Sequence, residues 1–496
     1  MVIVTEGQRP VPTILWVLDL EHQLIPVVAR MHLAGVPVDR EEWLAAEEKC
    51  REELYAVEAR IEDCTPKKPQ PKSGWNLDSR ADPLALLHAS GLPEEVTSTA
   101  EKVIAKYIPD IPLIEDLIKY RKAKRAKDTA EADRLRDKIL GEAPPPPPIP
   151  YQPWNLRSPQ QVKELAGLLG FDMHDGTDEL ELLKRKDAHE FFSLMLEARR
   201  LTKLVDTYGV NWIDKHCDPE TGRVYPSWWQ WGTTTGRFAC SNPNFQQLPN
   251  EGPYRSCIRA PEGRMLVSAD YSQIELRIAA KIAPDSGMLE AFEEGRDIHI
   301  ETAKLITSND SPSGEQRTKA KVINFGLLFG MRAESLPNYA LREYKVPLDE
   351  DEARNFYDAY FKERRGIASW HDREKKEFYS KKNKKCVDRY TLIGRRRKDI
   401  RSLNEALNHP VQGTAGDGMK YAMVLFDRRL DEVPSAQLIA TVHDELLVEC
   451  DEDEAQKVEE VLRGTMIEAM DEVVNAEGPK VPIEVESKVS KAWVKE

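Results

Sequence analysis

Two apolar runs 174 positions apart each end on an aspartate, and this pair of endings constrains the fold more than any other feature of the chain. "LVSADYSQIELR", from Leu266, reads as a buried strand that stops at Asp270. "LIATVHDELLVEC", from Leu438, reads as strand, tight turn and strand, with Asp444 at the hairpin tip. Strand ends of one sheet share a rim, so both acids can project to one edge. Two carboxylates about 4 Å apart repel by about 1 to 4 kcal/mol at effective dielectrics of about 80 to 20, and one is driven to bind a proton. A divalent cation removes that conflict, and hard oxygen donors without a His or Cys cluster favour Mg²⁺. Taken singly, each acid is read more simply as a turn cap.

Further residues shift the balance. "EQRTKAKVINFGLLFG" places Arg317, Lys321, Phe325 and Phe329 four residues apart in turn. On a helix they lie near one face, about 6 Å from one to the next. Two cations followed by two rings suit a nucleoside triphosphate, phosphates against the cations and sugar and base against the rings. An amphipathic core helix accounts for the phenylalanines but not for the order of charge and ring.

Net charge is −14, which argues against a polyanionic partner. The distribution argues for one: Lys381 to Arg401 holds ten basic residues against Asp388 and Asp399, a local net of +8. Standing alone, that run is read more simply as a solvated face. Seven cysteines with no C-x-x-C pair speak against a disulfide framework or structural zinc. No stretch nears the roughly 18 to 20 apolar residues of a membrane span, and the N-terminus lacks the basic region of a signal peptide. A soluble, cytoplasmic monomer without a membrane partner is expected.

Helical patterns at Glu21–His32 and Arg40–Cys64 form a hairpin broken by "AGVPVD". An internal repeat follows. "WNLDSRADPLALLHASGL" from Trp75 matches "WNLRSPQQVKELAGLLGF" from Trp154, and "LIKYRKAKRAKDT" from Leu117 pairs with "MLEARRLTKLVDTYG" from Met195. Two copies are too few for a solenoid and indicate a duplicated helical module. "EAPPPPPIPYQP", residues 142–153, is a stiff polyproline spacer between them. Strand-like texture after Tyr208, a helix-rich stretch from Arg296 to about Arg401 and strands again near the end define an α+β domain with a helical insertion.

These residues resemble family A DNA polymerases, the DNA polymerase I family. "DYSQIELR" from Asp270, "RTKAKVINFGLLFG" from Arg317 and "VHDEL" from Val442 are similar to its catalytic motifs. "TTGRFACSNPNFQQLP" from Thr234, "GRDIHIETA" from Gly295, "GRRR" from Gly394 and "NHPVQGTA" from Asn408 support them, and "EHQLIPVVARMHLAGVPVDREEW" resembles the start of the thumb. The resemblance implies a right-hand architecture: a palm with an antiparallel sheet, helical fingers and a helical thumb with a duplicated module. The expected divisions are 1–62, an N-terminal segment and thumb hairpin; 63–141, a thumb insertion; 142–153, a linker; and 154–209, the distal thumb. Then come 210–303, the first part of the palm; 304–403, the fingers; and 404–496, the rest of the palm.

The resemblance also implies template-directed addition of deoxynucleotides to a primer 3′-hydroxyl, with primer-template DNA and dNTPs as partners. Asp270, Asp444 and the Tyr271 carbonyl would hold two Mg²⁺ ions, with Mn²⁺ as a substitute. Lys321 would donate a proton to pyrophosphate, and Glu445 would be an accessory catalytic acid. His299, Arg317, Lys321, Phe325, Phe329, Glu275 and Gln273 would meet the nucleotide, Glu275 beside Phe325 excluding a ribose 2′-hydroxyl. Arg237, Asn244, Gln246, Arg255, Asn408, Gln412, His443, Arg395 and Arg396 would meet DNA. An RNA polymerase is disfavoured by the Glu275 and Phe325 pair, a silent DNA-binding module by Asp270, Asp444 and Lys321 together, while use of an RNA template stays open. About 20 residues precede the thumb resemblance, so no 3′–5′ exonuclease is expected despite the D-x-E spacing of Asp19 and Glu21. The inserted module, with Lys119, Arg121, Lys122, Lys124, Arg125 and Lys127, would lengthen the grip on duplex DNA or dock a processivity partner.

Phe329 stands where the family usually has Tyr, so that hydroxyl is absent while the ring remains. Phe325 resembles members that discriminate against dideoxynucleotides. Phe325→Tyr is therefore expected to relax that discrimination, measured as the ratio of ddNTP to dNTP incorporation; an unchanged ratio would count against the placement of this helix.

Overall fold

The computed structural model describes residues 14–69, 75–79, 81–145, 151–249, 252–380 and 385–494. Lys381, Lys382 and Lys384 of the basic run and residues 146–150 of the proline spacer lie outside the described residues. The chain divides into two compact units, Thr65–His174 and the remainder.

The remainder opens with α1 (Ile14–Ala34), which ends at Gly35 in the left-handed region (φ 63°), and α2 (Arg40–Cys64). Asp39 caps α2 by accepting from the Glu42 amide at 3.0 Å.

The Thr65–His174 unit has its own apolar core, built on Leu86, Leu87, Ile114, Leu117 and Ile139. Its principal helices are α3 (Leu113–Ala126) and α4 (Thr129–Glu142), joined by a turn with Lys127 in the left-handed region. The repeat is visible in its hydrogen bonds. The Trp75 indole donates to the Pro144 carbonyl at 2.8 Å and that of Trp154 to the Pro66 carbonyl at 2.9 Å. The Asn76 amide donates to Asp82, and Asn155 to Gln161, both at 2.9 Å. Arg121 binds the Thr99 carbonyl just as, in the larger unit, Arg199 binds that of Thr177. The compact boundary falls at His174, inside the second copy, because Trp154 is tied to the segment around Pro66. The module's cations are paired internally: Lys119 with Glu115, Lys122 with Glu101 and Lys124 with Asp78.

Past the repeat, α5 (Glu190–Tyr208) packs along α2. Trp43 of α2 stacks on Trp212 with centroids 4.3 Å apart and donates to the Tyr208 carbonyl at 2.7 Å. The central sheet is antiparallel, ordered β4–β1–β3–β2, from β1 (Arg264–Tyr271), β2 (Gln437–Val442), β3 (Glu445–Asp451) and β4 (Val485–Ser490). In register, Asp270 lies opposite Glu445 on one side and Glu486 on the other. Val267, Ala269 and Tyr271 alternate with it. Their face packs on the helix Ala455–Val474, where the Tyr271 hydroxyl donates to the Met466 carbonyl at 2.7 Å. The Asp270 face is left to the cleft.

Between β1 and β2 run α6 (Ile274–Ile282), α7 (Ile298–Thr307), α8 (Gly314–Leu328), α9 (Glu350–Glu363), α10 (Arg365–Phe378) and α11 (Leu403–Arg428). The helix-rich expectation missed a hairpin, Val387–Tyr390 with Arg396–Ile400, turning near Gly394 at φ 94°. That hairpin carries part of the basic run, where Arg389 pairs with Glu374, Arg397 with Glu405 and Arg396 with Asp388 of the hairpin itself. These pairs neutralise part of the apparent polyanion footprint.

Gly366, at the start of α10, lies against the backbone of Asp285. A Cβ there would sit 2.5 Å from Asp285 Cα and 2.6 Å from the Ala283 carbonyl. Gly366→Ala is expected to cost about 1–3 kcal/mol, read as a lowered thermal midpoint, because backbone rather than a side-chain tip must move.

Candidate active site

The rim of the sheet faces a cavity of about 500 Å³. Asp270, Tyr271, Gln273, Glu275, His299, Arg317, Lys321, Phe325, His443, Asp444, Glu445 and Arg255 all line it. The sheet supplies the acids: the Tyr271 amide donates to the Asp444 carbonyl at 3.1 Å, locking the β1 end to the β2–β3 turn. That turn is tight enough to put His443 at φ 55°, and Gln273 takes φ 54° where β1 gives way to α6. From across the cleft, α8 presents Arg317, Lys321 and Phe325. A capping box at Ser313 and Gln316 starts this helix.

Arg237 bridges two of the acids, Glu275 at 2.7 Å and Asp444 at 3.3 Å. Burial pushes the Glu275 carboxyl up, Arg237 opposes that, and Asp444 adds to it. Arg317 is held by Asp297 through Nε at 2.9 Å and Nη2 at 2.6 Å. Burial raises the Asp297 carboxyl, but Arg317 and the amides of Ile300 and His299 outweigh it, leaving the group below its ordinary value. His299 is buried, 5.7 Å from the Phe325 ring, and burial lowers its imidazole to about 4.

Phe329 parts from its expected companions. Helix α8 ends at Leu328, and Phe329 turns into an adjoining cavity of about 440 Å³ with Asn408, Gln412 and Thr235. Phe325 borders both cavities.

Other residues take structural positions. Glu445 is 6% exposed, with one oxygen accepting from the Trp493 indole at 2.7 Å and the other from Arg255. The Arg255 guanidinium lies 3.6 Å over the Trp493 ring. Arg395 is half-buried, paired with Asp417 at 2.5 Å and Glu21 at 2.6 Å. Arg396 pairs with Asp388 at the surface. Asn244 caps a 3₁₀ turn, and Gln246 reaches the Phe238 and Thr441 carbonyls at 3.4 and 3.5 Å. Sequence reading missed Ser272, Tyr344 and Glu486 on the cavity wall. Strand alternation in "PIEVESKV" was a signal for Glu486, but only the register reveals its partner.

The donors available to a metal are the carboxylates of Asp270 and Asp444 and the adjacent peptide carbonyl, all hard oxygens. Among the described residues no cluster of three or more His, Cys, Asp or Glu forms a complete ligand cage. The set fits Mg²⁺, which keeps coordination positions for water and phosphate oxygens.

The fold is that of a right-hand polymerase domain. The chain belongs to DNA polymerase family A, whose sequence profile matches residues 149–495. It is similar to DNA polymerase I of Aquifex aeolicus, 38% identical over 64% of this chain and 54% of that protein. It is also similar to the thermostable DNA polymerase I of Thermus filiformis, 34% identical over 78% of this chain and 45% of that protein. The chain thus spans about half the length of the curated relatives it matches. In fold it is similar to the solved POL domain of Pol1 from M. smegmatis in complex with DNA primer-template and dNTP. The TM-score is 0.65 at 22% identity, covering 95% of this chain and 70% of that one.

Trp493→Phe keeps the ring under Arg255 but removes the N–H that meets Glu445. Leaving that buried carboxylate oxygen short of a donor is expected to cost about 1–3 kcal/mol, measured from the denaturant midpoint.

Proposed function

We propose that this chain catalyses template-directed transfer of deoxynucleotides to a primer 3′-hydroxyl, releasing pyrophosphate. One observation carries the reading: two carboxylates on one sheet rim and the Arg317, Lys321 and Phe325 row of α8 line a single cavity. Names of relatives agree, being DNA polymerase I throughout those compared.

Asp270, Asp444 and the Tyr271 carbonyl would hold two Mg²⁺ ions, or Mn²⁺ in their place. When bound, such ions neutralise triphosphate charge and lower the pKa of the attacking hydroxyl. The remaining work falls to this chain's side chains. Lys321 and Arg317 orient the phosphates, Arg317 leaving Asp297 to do so, and Lys321 holds the proton for the departing pyrophosphate. Glu275 and Phe325 close the space a ribose 2′-hydroxyl would need. Arg237, His443, Asn408 and Gln412 touch the primer end and minor groove, where acceptor positions vary little among correct pairs. Phe329 stacks near the template base.

Among the described residues no helix is long and apolar enough to cross a membrane, and with bacterial relatives we place the chain in the cytoplasm. The Thr65–His174 unit extends the grip on duplex DNA, although its internal ion pairs leave less free charge than the sequence implied.

Extension of a labelled primer on a DNA template with Mg²⁺ and four dNTPs tests the reading. Asp444→Ala is expected to lower the rate on the order of a thousandfold or more, the equivalent of several kcal/mol. A parallel lane without dNTPs measures primer shortening. No extension by the intact chain would overturn the proposal.

A further inference from the structure

Behind the cleft a buried chain of polar groups ends on His299. The Arg364 guanidinium, 4% exposed at the junction of α9 and α10, donates to the Thr302 hydroxyl at 3.3 Å. Thr302, 0% exposed, donates in turn to Asn324 Oδ1 at 3.0 Å. Asn324, also 0% exposed, sets its amide nitrogen 2.9 Å from His299 Nδ1. Arg364 is itself anchored beside Asp285, 3.9 Å away, whose carboxylate accepts the Gly366 amide at 2.9 Å.

Direction matters here because the two ends differ in kind. A guanidinium can only donate. Thr302 therefore accepts from Arg364 and turns its own hydrogen toward Asn324. The Asn324 oxygen is occupied by that hydrogen, so the amide N–H₂ faces the imidazole. An amide N–H₂ can only donate, which leaves Nδ1 of His299 without a proton and Nε2 with one. Nε2 is the nitrogen left to meet a ligand in the cavity that His299 lines with Arg317 and Lys321.

We propose that Asn324, oriented by Thr302 and Arg364, is a positioning residue that holds His299 in its Nε2–H tautomer, presenting a neutral N–H donor to the phosphates of an incoming nucleotide. The phosphate half rests on the function proposed above; the tautomer half does not. Burial keeps the ring neutral, Asp297 opposing it and Lys321 and Arg317 adding to it, with the group brought down to about 4. The donor is thus present throughout the neutral range, and its proton needs no uptake from solvent. The relay also joins α7, α8 and the α9–α10 junction.

Nitrogen-15 NMR of the full chain labelled at histidine tests both halves, with the His299 signals assigned by their loss in His299→Gln. Without nucleotide at pH 7, the inference expects a bare Nδ1 and a protonated Nε2; a protonated Nδ1 would overturn it. Asn324→Asp replaces the donor by an acceptor and is expected to put a proton on Nδ1. Thr302→Val, which removes the orienting hydroxyl without changing shape, is expected to give mixed tautomers. Wild-type spectra from either folded variant would overturn the relay. Titration with dATP and Mg²⁺ is expected to move the Nε2 signal saturably, with dissociation about tenfold weaker in Asn324→Asp. A correct tautomer with no response to dATP would leave the relay standing and overturn the triphosphate reading of the cleft.

Discussion

The register of β1 between β3 and β4 is the constraint on which the remaining structure depends. It places Asp270 directly opposite both Glu445 and Glu486, with Asp444 one residue away, so four carboxylates crowd one rim. Like charges gathered on one rim repel unless cations or donors compensate them. The acids of the cleft, Glu275 among them, are compensated in different ways, the Glu486 carboxylate accepting from the Ser272 hydroxyl at 3.3 Å. Glu445 borders the cavity but is buried beneath two donors, Arg255 and Trp493. Glu275 and Asp444 share Arg237, a partly exposed cation able to leave. Asp270 and Asp444 remain at the cavity, where a divalent ion is the natural complement.

The opposite wall follows the same logic with the sign reversed. Arg317 and Lys321 would repel one another and destabilise the empty cleft, and Asp297 answers by gripping Arg317 in two places. Because Asp297 also caps α7 through the His299 and Ile300 amides, one carboxylate starts a helix and holds a cation in reserve. A ligand drawing Arg317 away would have to offer it more negative charge than that one carboxylate.

Much of this was legible in the sequence, and the gaps have physical causes. Strand runs and helix spacing locate Asp270, Asp444 and α8 because those patterns are local. Register is not local, so Glu486 could not be recognised as the neighbour of Asp270. The fate of Glu445 depends on Trp493, 48 positions away, and that of Arg395 on Glu21, 374 positions away. Phe329 follows helical spacing but falls one residue past the last turn, which sends it to a different cavity. The repeat was readable because both copies keep their Trp, Asn and Gly signposts, whereas the internal pairing of the module's lysines needed the acids' positions in space.

The order of the sheet bears on how the chain comes to life on the ribosome. Strand β1 ends at Tyr271, and its neighbours β3 and β4 begin at Glu445 and Val485. At roughly 5–20 residues per second, β1 emerges about ten to forty seconds before both neighbours exist. For much of that time both its edges lack their partners, while α8 and its cations are made well before β3 and β4. Long-range pairing of this kind is slow to form. The cleft is therefore assembled only after its cation-bearing helix has been made, once β3 and β4 have joined β1.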